Sequence, residues 1–198
     1  MEFIAHRINT IEELISVPYE CGVELDLRDD LNNKIYISHN PFENGEYFED
    51  YLKRYKNGTM ILNVKSERIE LPILKLLEKN NIDDYFFLDS SFPMIYQLNQ
   101  CGNTNIALRY SEYEGMDTIR NMRGKAKWIW VDCFTKNPLT RVVYDEMKEL
   151  GYKICFVSPE LQGREEDLLA YKHELTNSGI ELDAICSKIR NYDKWMKS

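Results

Sequence analysis

Short apolar runs rich in β-branched and aromatic residues recur along the chain. They cover 2–6 (EFIAH), 22–28 (GVELDLR), 59–65 (TMILNVK), 85–89 (YFFLD), 105–110 (NIALRY), 128–132 (WIWVD), 153–158 (KICFVS) and 183–187 (DAICS). Each reads as a strand. A further short run, KIYIS at 34–38, follows close behind the second. Between most of these lie segments with helical spacing, at 10–17, 47–55, 71–80, 93–100, 116–122, 139–151 and 164–179. The first opens on Thr10 with Glu13 three residues later, a capping-box pattern. Two of them close on a glycine, Gly151 and Gly179, as helix ends often do. Strands alternating with helices imply parallel βαβ units, and eight such units predict a small (β/α)8 TIM barrel. A doubly wound open sheet is the other arrangement. Neither nucleotide-binding glycine fingerprint follows the first strand to support it. No internal repeat or linker interrupts the pattern, so residues 1–198 are expected to form one domain.

The second run has an unusual polar face. Val23, Leu25 and Leu27 alternate with Glu24, Asp26 and Arg28. Two carboxylates on one inward face repel each other and lose hydration, so they need a compensating cation. A hard divalent ion such as Mg2+ or Ca2+ would serve, and so would Lys65 or Arg28. The competing reading is an exposed edge strand with solvated acids. In the third run Asn63 and Lys65 are two apart and share a face. Catalytic groups of such barrels sit at the C-terminal ends of the strands. Those ends carry His6 and Arg7, then His39 beyond the second run, then Asp89, Arg109, Asp132, Ser158 with Glu160, and Ser187 with Lys188. Taken singly, Asp89, Asp132, Ser158 and Ser187 read as turn formers. His6 and His39 are the pair suited to acid–base work near neutral pH.

Composition narrows the field. The 198 residues are 43% hydrophobic, enough for a sizeable core. A net charge of -8 argues against nucleic acid as a partner, since phosphate backbones need a basic face. No stretch is long and apolar enough to predict stable membrane insertion. The N-terminal residues lack the basic-then-apolar pattern of a secretory signal. The five cysteines are odd in number and show no C-x-x-C spacing, which fits reduced thiols in a cytoplasmic protein.

The order "AHR" at the end of the first run, "ELD" in the second and "SHNP" just after it resembles the glycerophosphodiester phosphodiesterases. The motif resemblance covers roughly the first third of the chain. It implies that His6 and His39 are the two catalytic histidines, that Arg7 contacts the phosphate, and that Glu24 and Asp26 ligate a divalent cation. In the family a glutamate ligand is followed two residues on by a lysine. Here Lys65 fits the lysine, while Asn63 replaces the glutamate as a weaker oxygen ligand. The chain also has Ile8 where the family has glycine, Asn40 where it has aspartate, and Ser187-Lys188 where a late T-D is common.

The resemblance implies metal-assisted hydrolysis of a small or glycan-linked phosphodiester. Lys65 would join the catalytic group, and Arg109 and Lys188 would supply further positive charge for the phosphate. Two other outcomes stay open at this level. One is a lyase that releases a cyclic phosphate, with basic residues standing in for the metal. The other is a barrel that binds phosphate without catalysis.

Overall fold

The computed structural model describes residues 1–197. Its strands are β1 (Glu2–Ala5), β2 (Gly22–Asp29), β3 (Ile35–Ile37), β4 (Met60–Val64), β5 (Tyr85–Leu88), β6 (Ala107–Tyr110), β7 (Trp128–Val131), β8 (Lys153–Val157) and β9 (Ala184–Ser187). The helices are α1 (Ile11–Ser16), α2 (Phe48–Leu52), α3 (Glu70–Lys79), α4 (Phe92–Gln100), α5 (Met116–Asn121), α6 (Arg141–Glu149), α7 (Leu168–Asn177) and α8 (Tyr192–Met196). All eight principal apolar runs became strands. Two compact units can be distinguished, residues 5–106 and residues 1–4 with 107–198.

In the first unit β2, β4 and β5 pair in parallel, with Glu24 opposite Ile61 and Asp26 opposite Asn63. The short run after β2 is β3, an antiparallel partner of β2 with Leu27 opposite Ile37. The turn between them is closed by Asp30, whose carboxylate accepts from the N–H groups of Asn32 and Lys34. Val23, Leu25 and Leu27 are fully buried, and Glu24 and Asp26 are only 1% exposed on the opposite face. β2 is therefore covered on both sides, which excludes the exposed-edge reading. The predicted capping box at Thr10 and Glu13 is present and starts α1.

In the second unit the strand path is β1-β9-β8-β7-β6. The β6–β7, β7–β8 and β8–β9 pairs are all parallel. Trp128, Trp130 and Phe156 are core residues here. The long helix expected over 164–179 is divided. Glu165–Asp167 form a 3-10 turn before α7 begins. Arg164 accounts for this by donating to Asp167 and to the hydroxyl of Tyr171, which fixes the entry into the helix. α8 is too short to give a readable period in the sequence. Gly151 and Gly179 both take left-handed φ values just after their helices, the conformation that glycine adopts without steric cost. Four cysteines are buried, and Cys101 is exposed. Among the described residues no helix is long and apolar enough to cross a membrane.

Candidate active site

The acidic face of β2 is the centre of the site, and everything described next lies in the unit of residues 5–106. His6 and Arg7 form the turn that leaves β1. Arg7 has φ of 57°, a left-handed conformation uncommon for a residue with a side chain. The turn is held there by three bonds. The Arg7 N–H donates to Glu24 Oε2 at 2.7 Å, and the next N–H, of Ile8, donates to the Glu24 carbonyl at 2.8 Å. The Tyr51 hydroxyl then donates to the Ile8 carbonyl. Ile8, the residue after this turn, is buried in the core.

The two carboxylates have opposite electrostatic characters. Burial, reinforced by the neighbouring Asp26, raises Glu24 to about 7, despite the hydrogen bonds it accepts from Asn63 and the Arg7 N–H. Burial also pushes Asp26 upward. There the side chain of Asn9, the ammonium of Lys65 and the ring of His39 outweigh it and hold the carboxyl below its usual value. His6 Nε2 lies 3.7 Å from Glu24 Oε2. His39 Nδ1 lies 3.2 Å from Asp26 Oδ2, and the Arg7 guanidinium is 3.6 Å from the same oxygen. Each acid thus faces one histidine. Lys65 Nζ sits between Asp26, at 3.6 Å, and Asp89, at 3.4 Å. Asp89 is a turn former with φ of 63° and also the second acid on this lysine.

His39 is carried on a loop whose two ends are tied together. The Ile37 N–H donates to the Glu46 carbonyl, and Tyr36 bridges to Tyr47. Gly45 lies so close to the base of the loop that a Cβ there would fall 1.9 Å from the Ile37 carbonyl oxygen. Arg28 was one candidate cation for the acid pair, but it braces this loop instead. Its guanidinium donates to the carbonyls of Lys65 at 3.0 Å and His39 at 2.9 Å.

Asn9 was absent from the sequence-level candidates. Its amide donates to Asp26 Oδ2 at 2.9 Å, and its carbonyl oxygen accepts from the Asp26 N–H at 3.0 Å. A signal for it existed. The capping box fixes the helix start at Thr10, which leaves Asn9 in the short loop just past the first strand. Asn40 bonds within its own loop, to Glu43.

Arg109 and Lys188, expected to add charge for the phosphate, lie in the other unit and have local networks there. Arg109 pairs with Asp132, a buried carboxylate that also accepts from Gln162 at 3.3 Å. The Lys188 N–H donates to Glu160 at 3.1 Å. Glu160 accepts from the hydroxyls of Ser158 and Ser187 as well. Ser158 and Ser187 therefore secure the ends of β8 and β9.

The donor set around β2 was tested against the divalent cation that the sequence suggests. Two buried oxygens, Asp26 Oδ1 and Asn63 Oδ1, accept no hydrogen bond, and they belong to residues directly paired across β2 and β4. With the Glu24 carboxylate they form a set of hard oxygen donors, the kind that Mg2+ and Ca2+ take. Among the described residues no three His, Cys, Asp or Glu side chains group as a metal site, and the third donor of this set is an amide. The residues fit a hard cation with one charge fewer than three carboxylates would give.

No family model matches the sequence, and no curated protein does. Solved structures do match the fold. A glycerophosphodiester phosphodiesterase from Agrobacterium tumefaciens aligns over 95% of this chain and 97% of its own, with a TM-score of 0.68 and 14% identity. A glycerophosphoryl diester phosphodiesterase from Parabacteroides distasonis aligns over 98% of this chain and 85% of its own, with a TM-score of 0.70 and 13% identity. The fold is thus the small (β/α)8 barrel that the strand–helix alternation predicts, and it is shared with the family that the motifs resemble.

Proposed function

We propose that the protein is a phosphodiesterase acting on glycerophosphodiester-type substrates, with His6 and His39 as its acid–base pair. One observation carries this reading: two histidines, an arginine and a lysine converge on the buried Glu24–Asp26 pair. The fold supports it, although fold alone does not fix chemistry.

The geometry supports the following roles. An ionised Asp26 accepts from Nδ1–H of His39, which leaves Nε2 with the free lone pair. That nitrogen lies 3.3 Å from the Arg7 guanidinium. When a phosphate draws Arg7 away, Nε2 is released to take a proton from the attacking hydroxyl. Protonated His6, beside Glu24, is placed to return a proton to the leaving oxygen. Arg7 and Lys65 offset the negative charge that builds on the phosphate oxygens. Glu24, Asp26 and Asn63 would hold the divalent cation, whose contribution when bound is to polarise the phosphate.

Phosphorus NMR of the protein with a panel of glycerophosphodiesters tests the reading, with Mg2+, with Ca2+ and with chelator. We expect turnover that falls by about 10²–10⁴ in His39→Ala, the size of a general acid–base contribution. A cyclic phosphate that accumulates and persists would identify a lyase. Equal activity in wild type and both histidine variants would remove the assignment.

A further inference from the structure

The two histidines of the site come from separate segments. His6 and Arg7 lie in the turn between β1 and α1, and His39 lies in the loop after β3. One residue bonds to both segments. The Glu46 side chain holds the first, since its Oε2 accepts from the Ile11 N–H at 2.7 Å. The Glu46 main chain holds the second, since its carbonyl accepts from the Ile37 N–H at 2.9 Å. Ile11 opens α1 directly after the turn, and Ile37 stands two residues before His39. A further bond comes from the same stretch of chain. The Tyr51 hydroxyl, fully buried on α2, donates to the Ile8 carbonyl at 3.0 Å. Residues 46–51 thus grip the first segment on both sides of Asn9.

The turn needs such anchoring. Arg7 at φ of 57° holds a conformation that persists only where its surroundings over-determine it. The Ile11 N–H belongs to the first turn of α1, where backbone donors have no partner within the helix. α1 spans six residues and buries only Leu14, so the helix has little packing of its own to fix its position. The Glu46 carboxylate supplies the missing acceptor from outside. Without it the turn is free to relax, and His6, Arg7 and Asn9 move together relative to Asp26 and His39. Two contacts depend on that placement. They are the 3.3 Å approach of Arg7 to His39 Nε2 and the 2.9 Å bond from Asn9 to Asp26.

We propose that Glu46 is a positioning residue: its carboxylate, together with the Tyr51 hydroxyl, sets the His6–Arg7 turn against the loop that carries His39. The effect on rate rests on the phosphodiesterase reading. The effect on the histidines rests on the bonds alone.

NMR of the histidine rings and steady-state kinetics, both on the whole chain, test it. The chain has three histidines, and the exposed His173 on α7 in the other unit is the internal reference. His6→Gln and His39→Gln assign the signals. We expect Glu46→Ala to shift the ring signals of His6 and His39 and to leave that of His173 in place. It should lower kcat for a glycerophosphodiester by about 10- to 100-fold, the cost of a small misplacement. Glu46→Gln keeps an acceptor oxygen and should restore both readouts. Tyr51→Phe removes a single oxygen and should act in the same direction, which keeps the test open if the alanine variant does not fold. Tyr152→Phe is the control. It breaks the same kind of bond in the other unit, where the Tyr152 hydroxyl donates to the Ile119 carbonyl at 2.7 Å. It should lose similar stability in urea with the rate and the His6 and His39 signals unchanged. Unmoved His6 and His39 signals in both Glu46→Ala and Tyr51→Phe overturn the proposal. So does a glutamine variant as impaired as the alanine one, or a control that lowers the rate as far. Shifted signals with full turnover overturn it too. Shifted signals in a protein whose wild type turns over no diester keep the clamp and remove the hydrolase reading.

Discussion

Asn9 grips Asp26 at both its backbone and its carboxylate, and Asp26 in turn orients His39. Removing this support disturbs the histidine without touching substrate. Asn9→Ala should lower kcat about tenfold, the scale of outer-shell losses, and leave KM within about twofold. A steady-state comparison checks this, and a change in KM alone would contradict the role. At this scale the charged and titratable members of the site were legible, because two acids on one face of an apolar strand demand an explanation. Asn9 was not, since a neutral amide before a helix cap reads as loop chemistry. Arg28 was legible as a cation but not in its direction. Only the folded loop shows that its donors go to carbonyls instead of carboxylates.

Short elements hold the site and loop residues in place. The capping box that starts α1 also binds Asn9, whose N–H donates to Glu13 Oε2 at 2.9 Å. Thr10→Ala should cost about 1 kcal/mol in urea unfolding, as caps usually do. In the other unit the loop after β7 wraps one carboxylate. Glu112 accepts from the N–H groups of Phe134 and Thr135 and from the Thr135 hydroxyl. Partial burial raises this acid, but these bonds and its own N–H outweigh that and bring it down to about 2. A depressed carboxyl contributes stability above its unfolded value and loses it as the pH falls through the folded one. The contribution should therefore be complete above about pH 4.5 and gone by about pH 2. Glu112→Gln should flatten that part of the acid unfolding curve followed by circular dichroism, and an unchanged slope would refute the link. The sequence pattern foretold the capping box but not the Glu112 wrap, whose partners lie more than twenty positions away. Nor did it foretell the break before α7, where Arg164 overrides a helical period.

For the molecule as a whole, the alternation of eight apolar runs with helical segments was enough to specify the fold, because parallel strands covered on both faces leave dense hydrophobic signals. Whether β2 and β4 suit a cation was less legible, since that depends on how Asn63 and Lys65 share the charge of Asp26. Asn63→Glu tests it globally. In chelator a third buried carboxylate should destabilise the fold by about 3 kcal/mol in urea, and Mg2+ or Ca2+ should recover most of that loss. If neither ion restores stability, the cation site is wrong. The tied base of the loop carrying His39 has a further consequence, for how such a protein can diversify. Because Ile37 and Glu46 close the loop beneath it, residues 41–44 can drift without carrying the histidine along, while Gly45 cannot. The tip of the loop is then open to change in lineages that keep the histidine in place, and one glycine outside the charged cluster becomes the position that ancestry has to conserve.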